Sequence, residues 1–443
     1  NVRGTIAANL KPVDCLVITS RLGYRISQSN YHNYETPFFL SSMAKSDNYT
    51  IEAQTNNSLY YQWENFANFN KDFGKHNVGA MVGMSFTKYH TDNSSISSTG
   101  TDILSNYDYN YRYINYLLSD ATKTVSNAPN DNTELSYFGR LSYNYDNRYY
   151  LTYTYRYDGS SNFGPENRWA GFHSVAASWR FSNEKWMEGA KGVLSNGKLR
   201  LGWGQTGNAN IGGYAWGSAI SRMPSALGMG YRPANIANTA IRWEAQEQYN
   251  LGLDLGFIDD RINLTIDAYY KISDDMLMSM QLPSYMGTQG NGSSALAAPK
   301  GNYGSIENKG IEFTLDTHPL VGKFQWDSNF QISFNRNKLL SLSGTENANL
   351  IGYGQWSDVV CVSEIGKGLY NFYGYEVEGV YKDYEDILNS PRAEKYPEDG
   401  VFNRSNTVWV GDLKYKDLSG PEGVPDGKID TYDRTDLGSP LPI

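Results

Sequence analysis

The chain has 443 residues and a formal net charge of −9, with 36 Tyr, 10 Trp and 43 Gly against only 10 Met. Such a composition belongs to strand-rich proteins with wet loops and argues against a helical bundle. Lys and Arg are scattered rather than clustered, which excludes a nucleic-acid partner, and no apolar run is long enough for a spanning helix. A membrane barrel stays open, because its strands turn only every second residue to lipid.

Strand-period alternation is predicted first over 16–26, where Leu16, Ile18, Leu22, Tyr24 and Ile26 oppose Val17, Thr19, Arg21, Gly23 and Arg25. It returns over 77–88, with Val78, Ala80, Val82, Met84 and Phe86 on one face. The clearest run is 149–157, where Tyr149, Leu151, Tyr153, Tyr155 and Tyr157 face away from Tyr150, Thr152, Thr154 and Arg156. A short helical turn is expected at 183–188. Tyr249, Leu251, Leu253, Leu255 and Phe257 make another face, followed by Ile262, Leu264, Ile266 and Ala268, and then by Phe324, Trp326, Phe330, Ile332 and Phe334.

A sandwich of two packed sheets would also alternate. Run length decides between them: about ten to thirteen residues suits a tilted bilayer crossing, whereas soluble strands average about five or six. Connections differ in length as well. Asp146–Arg148, Ile258–Arg261 and Pro319–Lys323 read as tight turns, whereas 90–133, 207–246, 272–307 and 340–435 read as long extracellular loops, the asymmetry of an outer-membrane barrel. Tyr143, Tyr145, Tyr149 and Tyr150 gather at one turn as an interfacial girdle would. The fold expected is therefore all-β, a transmembrane antiparallel β-barrel.

Several blocks follow one another along the chain. They are YFGRLSYNY at 137–145, YDGSSNFG at 157–164, NRW at 167–169, SVAASWR at 174–180, KLRLGWGQTGN at 198–208, WE at 243–244 with EQYNLGLD at 247–254, NKGIE at 308–312, and GDLKYKD at 411–417 with DGKID at 426–430. In this order they resemble the SusC/RagA-type TonB-linked outer-membrane transporters along nearly the whole chain. The resemblance implies a barrel of about 22 strands holding an amino-terminal plug. It further implies a SusD-like surface lipoprotein as lid, energy from the TonB complex, and a dimer of transporter–lipoprotein pairs. Roughly thirteen or fourteen strands are countable here, too few for such a barrel, since an open sheet in lipid leaves unpaired backbone groups. The chain is thus read as one piece of a longer transporter, with export signal, plug and TonB-contacting segment outside it.

The implied activity is energised import of oligosaccharides, or of oligopeptides, which the residues do not separate. Loop aromatics Tyr107, Tyr109, Tyr111, Tyr214, Trp216, Trp356, Tyr370 and Tyr373 are candidate stacking platforms, and equally candidates for packing within the loops. Asp417, Asp426, Asp430 and Asp433 present oxygens in a Gly-kinked stretch, a candidate Ca2+ loop within 412–433. The insertion Pro421–Pro425 interrupts the pattern and favours a metal-free turn. No other cofactor is expected. His32, His76, His90, His173 and His318 show no H-E-x-x-H spacing, and neither G-x-S-x-G nor a phosphate loop occurs, so catalysis is not expected. Acids such as Glu64 and Asp254 are expected to line a polar lumen. The rival from another class is a surface adhesin or structural protein built on sandwiches, which would purify without detergent.

Overall fold

A computed structural model describes residues 1–42, 44–101, 122–280, 285, 296–342, 349–354 and 359–440. These residues form one twelve-stranded antiparallel sheet in which every strand pairs with the next along the chain. The strands are β1 (Val2–Val13), β2 (Leu16–Glu35), β3 (Tyr49–Phe73), β4 (His76–Gly100), β5 (Thr122–Tyr145) and β6 (Tyr149–Ser160). They continue as β7 (Trp169–Trp179), β8 (Leu194–Asn208), β9 (Glu244–Phe257), β10 (Ile262–Asp274), β11 (Ser305–Val321) and β12 (Gln325–Ser341).

The register turns the sequence alternation into two surfaces. One row across nine strands reads Val78, Tyr143, Leu151, Ala177, Leu201, Leu251, Ala268, Ile311 and Phe334, every member apolar or aromatic. The row beside it, on the other face, reads Gly79, Ser142, Thr152, Ala176, Gly202, Asn250, Tyr269, Gly310 and Asn335. The apolar side is left uncovered: Leu141 and Phe330 are each 59% exposed. No second protein layer packs on it among the described residues, which sets aside the sandwich reading. From Tyr149 to Tyr157 the apolar face runs roughly 26 Å along the strand at ~3.3 Å per residue, on the order of the ~25 Å apolar band of an outer-membrane barrel.

At one end the strands join by tight turns. Asp146 and Asn147 both take left-handed φ, 53° and 52°, in a three-residue connection closed by Arg148 N–H to Tyr145 O at 2.9 Å. Lys75 and Arg148 hold the Asp146 carboxylate at 3.1 and 3.2 Å. The expected helical turn is two 3-10 segments, Phe181–Asn183 and Lys185–Ala190. Between them the Glu184 carboxylate accepts from Tyr149 Oη at 2.6 Å and Trp179 Nε1 at 3.0 Å.

Three expectations change. The 90–133 loop is shorter than expected, because β4 and β5 stay paired up to Thr99 and Thr122. Its strands are rich in Ser, Thr and Asn and carry no apolar period. The Pro319–Lys323 turn moves on to Gly322–Phe324: β11 reaches Val321 through a register shift between Thr317 and Leu320, which accommodates the missing N–H of Pro319. The wall has twelve strands among the described residues, and the remaining strands form short pairs in the connections or a separate four-stranded sheet. One such pair is Ile220–Ser225 with Gly228–Pro233, and another is Leu277–Ser279 with Lys300–Asn302. Beyond β12 lies a four-stranded sheet of β13 (Asn349–Tyr353), β14 (Val359–Glu364), β15 (Asn371–Tyr375) and β16 (Arg434–Gly438). The outer strands β1 and β12 have ladder partners on one side only among the described residues.

The two surfaces respond differently to charge. Leu141→Arg, in the middle of the exposed apolar band, is expected to cost about 2–4 kcal/mol. Thr154→Arg, on the opposite face, is expected to cost well under 1 kcal/mol. Urea unfolding of the complete protein in vesicles separates the two.

Candidate functional site

The polar face carries paired charges held across strands. Arg21 of β2 reaches Glu64 of β3 at 2.5 Å, and Arg200 of β8 bridges Asp254 of β9 at 2.8 Å and Asp267 of β10 at 3.0 Å. Gly252 lies between them because a Cβ there would run into the Arg200 guanidinium and the Asp267 carboxylate. The two acids assigned to the lumen from sequence, Glu64 and Asp254, thus lie on the polar face with arginine partners.

Toward the long-loop end this face hollows into a cavity of about 430 Å3 lined by Asn132, Glu134, Arg156, Asp158, Asn162 and Trp243, among others. Arg156 Nε donates to Asp158 Oδ1 at 2.7 Å and its Nη2 to Ser136 Oγ at 2.7 Å. The turn after β6 builds one wall. Its Ser161 N–H donates to Thr133 O, and Ser161 Oγ accepts from Thr133 N at 3.0 Å. Asn162 Nδ2 crosses to Ala209 O at 2.8 Å. Phe163 is fully buried and packs on Trp243 with ring centroids 5.1 Å apart, while Phe172 meets the same indole edge-on at 5.7 Å. Trp243 Nε1 donates to Arg168 O at 3.1 Å. The turn 160–164 therefore clasps the connection after β6 to both ends of the connection after β8, at Ala209 and at Trp243.

The residues singled out from sequence are dispersed. Tyr107, Tyr109, Tyr111 and Trp356 lie outside the described residues. Tyr214 and Trp216 share one turn, closed by Gly217 N–H to Tyr214 O at 3.0 Å, and Tyr214 points out at left-handed φ, 57°. The Trp216 ring lies against Gly164 of the clasp. Tyr370, at φ 54°, is exposed, and Tyr373 lies in β15, opposite Asp436 of β16.

The four acids of the candidate cation loop come together, but each accepts backbone N–H groups. Asp417 accepts from Asp426 and Gly427, Asp426 from Lys428, and Asp430 from Tyr432. Asp433 is fully buried and accepts from Leu418 at 2.7 Å, Ser419 at 3.1 Å and Asp430 at 2.8 Å. Among the described residues no cluster of three or more His, Cys, Asp or Glu has metal-binding geometry. Burial alone would raise the Asp433 carboxyl, but these amides and a hydrogen bond shared with Asp417 outweigh it and hold the group below the usual aspartate range.

Sequence reasoning gave no role to Glu134, Arg156, Asn162 or Trp243. The available signal was Asp158-Gly159-Ser160-Ser161, a cluster of turn-forming side chains at the end of a strand.

Comparison with known proteins places this architecture. The family model described as "TonB dependent receptor-like, beta-barrel" matches residues 9–439. The chain belongs to that family. It is 29% identical over 449 residues to the TonB-dependent receptor P3 of Formosa agariphila, covering 99% of this chain and 42% of that protein. It is 40% identical over 230 residues to the TonB-dependent receptor SusC of Bacteroides thetaiotaomicron, covering 49% of this chain and 22% of that one. The RagAB peptide transporter structure shares the fold, with a TM-score of 0.77 at 20% identity over 98% of this chain and 43% of its own. This receptor chain thus spans less than half the length of these relatives, and as part of such a barrel it resides in the bacterial outer membrane.

The clasp predicts a local loss of order: Phe163→Ala in the receptor is expected to cost about 3–5 kcal/mol, read by unfolding, with new proteolytic cuts near 160–170 and 207–217. The Asp433 network predicts a pH response. Its folded value lies below the 3.8 of an unperturbed aspartate, so its stabilisation is complete above about pH 4 and disappears as pH falls through the folded value. Amide exchange at Leu418, Ser419 and Asp430 should accelerate over that acid range, whereas in Asp433→Asn it should be fast at neutral pH and lack the transition.

Proposed function

We propose that this receptor chain supplies part of the wall of a TonB-dependent importer that carries oligosaccharides across the outer membrane beneath a SusD-like lipoprotein. Family membership supports the transport reading, and the rim cavity supports the cargo. Asn132, Asn162 and Ser136 mix hydrogen-bond donors with acceptors beside one indole, a set that suits hydroxyl groups, each of which both gives and takes a hydrogen bond. Oligopeptide is the second reading, because the RagAB transporter, whose fold this chain shares, is named for peptides.

In this mechanism the lid captures cargo at the long-loop end and the polar rows offer exchangeable hydrogen bonds along the wall. TonB then displaces the plug to open the path. The long loops seat the lid, and two such pairs assemble as a dimer. The acidic 412–433 loop needs no cation in this reading, since amides occupy its carboxylates.

A deletion of the whole receptor gene should abolish growth on its cognate oligosaccharide and energy-dependent uptake of that labelled sugar, with native co-purification recovering the lipoprotein. Loss of peptide uptake alone would transfer the assignment to peptides. Uptake unchanged for both classes, with TonB inactivation also without effect, would remove the importer reading.

A further inference from the structure

The outer apolar face is not uniform. Between β7 and β10 it sinks into a groove of about 540 Å3, a volume within the ~300–1,000 Å3 range of preformed ligand sites. Its floor is the register row Ala177, Leu201, Leu251 and Ala268, in which the two alanines stand where neighbouring strands carry Leu151 on one flank and Ile311 on the other. Small side chains between larger ones leave the depression.

Its upper rim, toward the long loops, is the adjoining outward row Trp203, Tyr249 and Tyr270. The rings are tethered by their polar tips. Trp203 Nε1 and Tyr249 Oη both donate to Glu247 Oε1, at 2.6 and 3.0 Å, and Tyr270 Oη donates to Glu307 at 3.1 Å. Lys309 completes that rim by pairing with Glu307 at 2.8 Å. Rings anchored upward do not fold down over the alanines, so the groove stays open.

We propose that this groove is a lipid site that retains one acyl chain of a membrane lipid, lying along Ala177, Leu201, Leu251 and Ala268 with its headgroup at the level of Glu247 and Lys309. The occupant follows from the location: the face is turned to bilayer, its lining is apolar apart from Asn250, and the charged groups stand at the end nearest the membrane surface. Surrounding lipid is as apolar as the groove, so exclusion from water contributes nothing here. What distinguishes this chain from its neighbours is the number of close contacts a fitted depression gives along its length. The inference rests on the outer-membrane location and is independent of cargo.

The test uses the complete receptor, purified from its native outer membrane in dodecyl maltoside, washed at length and extracted for lipid mass spectrometry. Wild type should keep at least one lipid per receptor, and Ala177→Trp/Ala268→Trp, which fills the depression, should keep about tenfold less. Ala67→Trp, on the outward face of β3 beside Val82, should match wild type. A second measurement covers poor folding of the double variant: wild type reconstituted with phospholipid carrying an acyl-chain diazirine should be labelled chiefly at residues 175–177, 201, 251 and 268. Lipid washed fully from wild type, equal retention by the filled variant, or labelling spread evenly over the outer wall would each overturn the proposal.

Discussion

The ladder of backbone hydrogen bonds is the constraint on which everything else in this chain depends. Inside hydrocarbon no water stands by to satisfy an N–H or C=O, so each strand must find its partners in its neighbours. An antiparallel meander in which β1 to β12 pair in chain order does this with the shortest connections. Once the ladder is set, side chains fall strictly to alternate faces, and the row containing Leu151 and Leu201 is separated from the row containing Thr152 and Gly202 by a single residue. One geometric fact therefore makes both the lipid-facing coat and the polar wall. A slip of one residue anywhere would exchange them.

That same strictness explains what was legible in the sequence. Tyr149–Tyr157 and Tyr249–Phe257 announce themselves because lipid demands an apolar residue at every second place. The upper parts of β3, β4 and β5 do not, since polar residues such as Thr55, Asn57, Ser94 and Asn127 fill their ladder positions without an apolar period. Those parts rely chiefly on ladder hydrogen bonds, which leave little mark in residue type. β1 went unread for another reason: Gly4, Ala7 and Ala8 dilute its alternation of Val2, Ile6 and Leu10.

The rim cavity was half legible. The turn chemistry of Asp158-Gly159-Ser160-Ser161 is local and visible, but its meaning is not, because Asn162 finds Ala209 and Phe163 finds Trp243 only after β7 and β8 have been laid between them. The acidic stretch shows the opposite case. Its carboxylates left both a cation loop and a metal-free turn open by type and spacing, and that Asp433 turns inward among amides is a choice that residue identity alone does not reveal. Aromatic loop residues were the least readable, as Tyr214 and Trp216 share a turn while one points outward and the other lies against Gly164.

Strands β2 to β5 keep their register without a shift far above the apolar band, β3 and β4 from the Phe73–His76 turn to Tyr49 and Gly100. Above Phe86 this amounts to roughly 45 Å of continuous ladder at ~3.3 Å per residue. A palisade of that height is stiff, for bending it would break many bonds together. The rim is thus fixed where β2 to β5 stand, whereas from β6 onward the strands stop early and hairpins and coil take over among the described residues.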